Sequence, residues 1–396
     1  MIFRLFSAAA LFLTASLPGQ AFETSATAAW VYDVTTHTVL MDKNGEQALP
    51  PASMSKLMTV EMLFQALKDG RVQMDTSFGV SAEAMKFTDL NGSTMFLQRN
   101  DRPTVSDLIQ GMVVNSGNDA CTVVAEGLEG SEAEFAKKMN ERAKVLGLEN
   151  STFANSSGWP DPGQRMSMKD LGLLSVHLIT TYPDLYPVFS QTEFNYKNRA
   201  PANANNRNPL LALGIGADGL KTGHTQEAGF GMVGSVKQGE RRIVFAISGM
   251  ASAEERSKEA ENIANWAFRQ FALKTVVKAG GEVAQAEVFM GDAASVALVP
   301  AEDLRLLIPA GAAAAVQAEV SYTSPIKAPV LKGTKLAELL VHLPDMPDRR
   351  IDLVAGADVG AGGFMTRLKA AAQKLQADYL GDNTGADTVG EKAPAT

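Results

Sequence analysis

The chain is poor in the residues that build metal and disulfide proteins. Cys121 is its single cysteine in 396 residues, which excludes an intrachain disulfide framework and a cysteine-built zinc site. Its four histidines, His37, His177, His224 and His342, stand far apart with no HxxxH or HExxH pair. No metal and no cofactor is therefore expected. Basic excess is also lacking: 36 Lys and Arg face 44 Asp and Glu, a net charge of −8. A phosphate backbone needs a basic surface, so nucleic acid is excluded as a partner. No apolar run reaches the ~20 residues that a spanning helix requires. Glycine and proline are near their average, at 34 and 17 residues, which rules out collagenous or low-complexity chain. What remains is an acidic globular protein, 45% hydrophobic and long enough for two or three domains with a sizeable core.

The ends carry their own signals. Residues 1–21 read as a secretory signal peptide, with Arg4 as the positive start, a short apolar run from Leu5 to Leu17, and Gly19-Gln20-Ala21 as small residues at a cleavage site. Export is expected, and removal of Arg4 with the leader leaves a charge of −9. Near the other end, Phe364, Leu368, Ala372, Leu375 and Tyr379 recur at helical spacing, with Arg367, Lys369 and Lys374 off that face. An amphipathic helix over 361–380 fits a membrane interface, apolar side immersed and cations near anionic head groups. Residues 381–396 lack large apolar side chains and read as a flexible tail.

Between the ends, Ala28–Tyr32 and Thr38–Met41 read as strands, and Pro50-Pro51 introduces a helix from Ser53 to Lys68. Helices starting at Thr104, Ser131 and Ser167 each carry an acid three residues on (Asp107, Glu134, Asp170), the spacing of a capping box, strictly so for Glu134. Gly229–Val236 and Arg242–Ser248 form a hairpin, followed by a helix from about Ala253 to Phe271. After Lys274 short β-like segments take over: 283–290, 295–299, 304–308, 316–322 and 351–354. The reading is a mixed α/β domain over 22–272 and a small all-β domain over 273–360.

Three motifs in the first domain carry chemistry. Ser53-Met54-Ser55-Lys56 opens a helix, and positions i and i+3 are neighbours there. A serine hydroxyl is a weak nucleophile until a base takes its proton. A lysine serves only if burial or a nearby cation depresses its pKa. Alone the pattern is weak: it recurs at Ser324-Pro325-Ile326-Lys327, where the prolines impose extended chain, and Ser53 alone would suit a helix cap. Ser116-Gly117-Asn118 joins two apolar helical runs and would suit an ordinary turn. Lys221-Thr222-Gly223-His224-Thr225 would equally suit an exposed turn with a solvated lysine. All three in this order form the signature of penicillin-interacting serine enzymes.

The sequence Pro50-Pro51-Ala52-Ser53-Met54-Ser55-Lys56-Leu57-Met58-Thr59 resembles the active-site helix of low-molecular-mass penicillin-binding proteins, the serine-type D-alanyl-D-alanine carboxypeptidases. So do Gly92-Ser93-Thr94-Met95-Phe96, Val114 to Ala120, and Asn206-Arg207-Asn208 ahead of Lys221 to Thr225. The likeness extends to Ala328-Pro329 and Lys332-Gly333, and the C-terminal helix matches the family's membrane-association segment in position. The polar tail to Thr396 departs from members that end at that helix. The resemblance implies a transpeptidase/β-lactamase-like α/β fold with an antiparallel sheet and helices. By position it also implies that Ser53 attacks the carbonyl between two D-alanines of a peptidoglycan stem peptide while Lys56 takes its proton. Ser116 would relay a proton to the leaving D-alanine and Asn118 would orient the substrate amide. Lys221 would add positive potential, Thr222 would bind the terminal carboxylate, and the N–H groups of Ser53 and His224 would form the oxyanion hole beside Gly223. Arg256 is a further candidate for the carboxylate, against a plain surface salt bridge. β-Lactams become covalent inhibitors, and the location becomes the periplasmic face of the cytoplasmic membrane.

Alternatives stand beside this reading. A class A β-lactamase shares the motifs but needs a glutamate for deacylation, and residues 150–191 contain none. A D,D-endopeptidase uses the same groups on cross-linked peptides. A non-catalytic wall-binding protein would have no chemical need for both Lys56 and Lys221. His224 is not read as a general base, His177 reads as structural, and Cys121 as a buried thiol.

Overall fold

The computed structural model describes residues 22–366 apart from 91, 311–315, 344, 345 and 347, together with 368 and 372. The expected leader and tail lie outside the described residues, as does most of the expected helix over 361–380.

An antiparallel sheet organises the first part of the chain. Its strands are β1 (Ala28–Asp33), β2 (Thr38–Lys43), β3 (Ala217–Thr225), β4 (Gly229–Gln238) and β5 (Arg241–Met250), in the order β2-β1-β5-β4-β3. Strand alternation gives it two apolar faces. Trp30, Leu220, Val233 and Ala246 face one core, formed with helices α1 (Lys56–Lys68), α2 (Ala82–Asp89), α3 (Val105–Val113), α4 (Asn118–Glu129), α5 (Glu132–Val145) and α6 (Met168–Thr181). Ala29, Val31, Met232, Phe245 and Ile247 face the other, covered by α7 (Ala253–Gln270) through Ala260, Ile263, Ala264 and Ala267. Helix α1 is apolar nearly all round, and Leu57, Met58, Val60, Leu63 and Phe64 are all buried, as an internal helix requires. It begins one turn later than the sequence suggests, because Ala52–Ser55 forms a 3₁₀ turn ahead of Lys56.

The caps correct one expectation. At Ser131, the strict pattern, the hydroxyl accepts from Glu134 N at 3.2 Å, but the Glu134 carboxylate takes exposed Lys137 instead. The reciprocal box closes at Thr104, whose N–H donates to Asp107 Oδ2 at 2.9 Å while its hydroxyl accepts from Asp107 N at 3.1 Å. Aspartate's shorter arm stays on its own turn, whereas a solvated glutamate finds a cation.

Beyond α7 the described chain is β-rich. Strands β7 (Ala284–Phe289), β8 (Ser295–Pro300), β10 (Gln317–Tyr322), β11 (Ile326–Lys327), β12 (Lys335–His342) and β13 (Arg349–Ala355) make a six-stranded sheet; β6 (Phe271–Val277) and β9 (Leu304–Pro309) pair separately. Sequence reading missed β6, β11 and β12. Phe271 was expected to end α7, yet it opens β6 with extended backbone, φ −127° and ψ 130°. The run Lys335–His342 is rich in Ala, Glu and Leu and has little β-branching, which hides an alternating strand. The second SxxK copy runs into β11, as extended chain. This region has its own apolar core, including Leu298, Leu306, Leu339, Val341 and Leu353.

Candidate active site

Ser53 opens onto a cleft of about 930 Å³ that is also lined by Asn118, Thr222, Gly223, His224, Arg207, Arg256 and Trp159. The 3₁₀ turn places it one turn before Lys56, whose Nζ donates to Ser53 Oγ at 2.9 Å. The same amine donates to Asn118 Oδ1 at 2.7 Å and to Ser157 O at 2.6 Å. Lys56 is buried, and that burial, with Arg207 pushing the same way, lowers its pKa to about 8. Its proton is thus removable near neutral pH.

Ser116 and Asn118 sit where α3 hands over to α4. The turn holds Ser116 at φ +58°, with its hydroxyl buried and free of any partner among the described residues. Asn118 is the first residue of α4, and its N–H donates to Ser93 O at 2.8 Å. The next residue, Asp119, is buried and accepts from the N–H groups of Met95 (3.0 Å), Leu97 (3.1 Å) and Ala120 (2.9 Å). It ties the 92–97 loop to the Ser116 turn.

Lys221, Thr222 and Gly223 lie within β3, an edge strand of the sheet, and not in an exposed turn. Lys221 is buried and donates to Thr222 O at 2.9 Å. Burial first, then Arg207 and Lys56, holds its pKa well below the usual lysine value. Gly223 lets β3 approach the Ser53 turn: an added Cβ would stand 3.0 Å from Pro51 O and 3.1 Å from Met54 Cγ. His224 is exposed and stacks on Phe230, ring centroids 3.9 Å apart, with no carboxylate partner among the described residues.

Arg256 is no surface ion pair. It is 8% exposed, lies 5.8 Å from the Phe230 ring centroid, and forms no salt bridge among the described residues. Burial lowers its pKa, with Arg207 adding to the effect. Arg207 itself was missed as a site residue. It donates to Asn115 O at 2.8 Å and to Ser93 Oγ and Asn203 Oδ1 at 3.0 Å, which leaves its charge without a carboxylate partner among the described residues. Its only sequence signal was the Asn206-Arg207-Asn208 triplet. Ser157 and Trp159 were also missed, since that loop was searched only for a glutamate.

Groups set aside on sequence stand apart. Burial pushes the Cys121 thiol up to about 12, unsuited to a nucleophile. His177 Nε2 lies 3.3 Å from Glu61 Oε1, a structural contact outside the cleft. Among the described residues no carboxylate lines the cleft. Glu132 approaches the 155–159 loop but is held by Ser156 N at 3.0 Å and Ser156 Oγ at 2.7 Å, so the deacylating glutamate of a class A lactamase has no counterpart there.

Fold and site together are those of a serine hydrolase, with an SxxK pair on the turn that leads into a helix beside an antiparallel sheet. Comparison with known proteins narrows the class. The model of the D-alanyl-D-alanine carboxypeptidase family matches residues 14–251, and that of the penicillin-binding protein 5 C-terminal domain matches 271–361. The chain is 34% identical over 347 residues to D-alanyl-D-alanine carboxypeptidase DacC of Escherichia coli, covering 86% of each protein. It is 32% identical to DacD of Salmonella typhimurium, covering 92% of this chain and 97% of that one. The crystal structure of penicillin-binding protein 5 from Haemophilus influenzae superposes with a TM-score of 0.74 at 30% identity, over 85% of this chain and 98% of the other. The chain belongs to the D-alanyl-D-alanine carboxypeptidase family of serine peptidases.

Proposed function

We propose that this protein removes the terminal D-alanine from peptidoglycan stem peptides through a Ser53 acyl-enzyme. The observation that carries the reading is the contact of 2.9 Å between Ser53 Oγ and a fully desolvated Lys56 amine. Neutral Lys56 takes the Ser53 proton as Oγ attacks the carbonyl between the two D-alanines. The N–H groups of Ser53 and His224 stabilise the oxyanion, each such donor being worth ~3 kcal/mol in a comparable protease. Ser116 relays the proton that Lys56 has taken on to the leaving amine, the C–N bond breaks, free D-alanine departs, and Lys56 is neutral again. Asn118 orients the acyl-side amide, while Thr222, Lys221, Arg207 and Arg256 hold the terminal carboxylate. With no carboxylate lining the cleft among the described residues, the deacylating water gives its proton to Lys56, which returns it to Ser53 Oγ as the acyl ester breaks.

Penicillins fit the same site, because a β-lactam presents a strained carbonyl next to a carboxylate. A relative of 31% identity, penicillin-binding protein D2 of Listeria monocytogenes, was solved in its ampicillin-bound form. We also read the chain as exported and held peripherally at the outer face of the cytoplasmic membrane. No described helix is long and apolar enough to cross a membrane, while Phe364, Met365 and Leu368 are exposed at the start of the expected amphipathic helix.

The test is D-alanine release from a soluble peptide ending in D-Ala-D-Ala, with the mature protein beside Ser53→Ala. Release that vanishes in the variant is expected. A folded, penicillin-labelled protein that releases no D-alanine would overturn the carboxypeptidase reading in favour of an endopeptidase.

A further inference from the structure

The catalytic groups leave one wall of the cleft unused. Leu90, Gly92, Trp159 and Pro160 line it, contributed by the end of α2 and by the loop before α6. Trp159 is firmly held there. Asn155 Oδ1 accepts from Gly158 N at 2.8 Å and from Trp159 N at 3.1 Å, and Asn155 Nδ2 donates to Trp159 O at 2.9 Å. The indole meets Phe87 edge-on, ring centroids 5.3 Å apart. Through Ser157 O, the loop is tied to the Lys56 amine at 2.6 Å. A Cβ added at Gly92 would stand 2.8 Å from Asn118 Nδ2 and 3.0 Å from Trp159 Cζ3, so the Asn118 amide and the indole edge flank one bare backbone position. The ring is only partly buried and remains open to the cleft.

Charge sets the direction in which a peptide lies. Its free carboxylate falls one residue beyond the scissile carbonyl, and the guanidinium groups of Arg207 and Arg256, without a carboxylate partner among the described residues, line the cleft to hold it. With the carbonyl at Ser53, the acyl-side chain runs past Asn118 toward Trp159. The penultimate D-alanine offers only a methyl group, so the residue before it reaches the indole. We propose that Trp159 is a specificity-determining residue, an apolar wall for a long aliphatic side chain on the residue preceding D-Ala-D-Ala. This rests on the carboxypeptidase reading and names its preferred substrate class. A rigid ring offers contact area at little entropic cost, and long side chains lay their methylene stems on such surfaces with the polar end in water.

The test compares kcat/KM for diacetyl-L-Lys-D-Ala-D-Ala and acetyl-L-Ala-D-Ala-D-Ala in the full chain, Trp159→Ala and Trp159→Phe. The long-to-short ratio is expected to fall about tenfold in Trp159→Ala and to return largely in Trp159→Phe. Parallel losses on both peptides would mark a structural role and overturn the proposal, as would an unchanged ratio. Acylation by benzylpenicillin relative to 6-aminopenicillanic acid, which lacks the acyl side chain, provides a second ratio with the same expected drop. That ratio stays readable if the wild type hydrolyses neither peptide, so failure of the carboxypeptidase reading and failure of Trp159 give different results.

Discussion

An ammonium group loses hydration when it is buried, and at Lys56 that loss is turned to use. Three hydrogen bonds fix the amine, while burial brings its pKa to about 8. Only the neutral form accepts the Ser53 proton, and it grows as pH rises toward that value. Below about 8, kcat/KM is therefore expected to climb roughly tenfold per pH unit and then level off. A profile flat from about pH 6 to 9 would show that Lys56 is not the base. Lys56→Arg is expected to cost on the order of 10³ in acylation at every pH, because a guanidinium does not deprotonate. Lys221 is depressed as well, chiefly by burial, with Arg207 and Lys56 pushing the same way. The Ser53–Lys56 pair was legible in sequence because its contact is local. Arg207 was not, because its partners Ser93 and Asn115 lie about a hundred residues away in the chain.

Among elements, the α3–α4 junction carries the site's geometry. The Thr104 box fixes the start of α3, and Asp119 at the start of α4 gathers three backbone N–H groups. Removing a buried acceptor leaves those donors unpaired, at about 1–3 kcal/mol for such a loss. Asp119→Ala is thus expected to lower stability by roughly 3 kcal/mol in urea titration. It should also slow penicillin acylation, since the 92–97 loop and Asn118 lose their tie. An unchanged urea midpoint would refute this role. Elements were readable wherever the local pattern was strong: the β4–β5 hairpin, α1, and the starts of α3, α5 and α6. They failed where a tertiary partner decided, as at Phe271, where pairing with Pro309 turns the end of a helix into a strand.

At the scale of the molecule, the described chain holds three apolar cores: one on each face of the first sheet and one within the β-rich region. We propose residues 22–272 as the catalytic domain, 273–360 as the β-rich domain and 361–380 as a membrane-contacting segment. The two family models support a division in this region, one ending at residue 251 and the other beginning at 271. A chain ending at residue 272 is expected to keep penicillin acylation within a few-fold and to lose the anionic-vesicle cosedimentation of the full mature chain. Loss of acylation on truncation would show that the cores are interdependent. Vesicle binding retained by the short chain would place membrane contact elsewhere.

The sequence by itself determined whatever depends on near neighbours: the i, i+3 meeting of Ser53 and Lys56, the helix starts, the hairpin, and the exclusion of metal-binding spacings. It also carried the family likeness, because the three motifs are short and ordered. Only the tertiary structure decided which side chains share the cleft. Ser53, Asn118, Trp159, Arg207, Thr222 and Arg256 line it and come from a turn, two loops, a strand and two helices. Their convergence follows from packing over long sequence separations. The lowered pKa of Lys56 belongs to the same level, for it comes from desolvation, and desolvation exists only once the surrounding elements have closed around the amine.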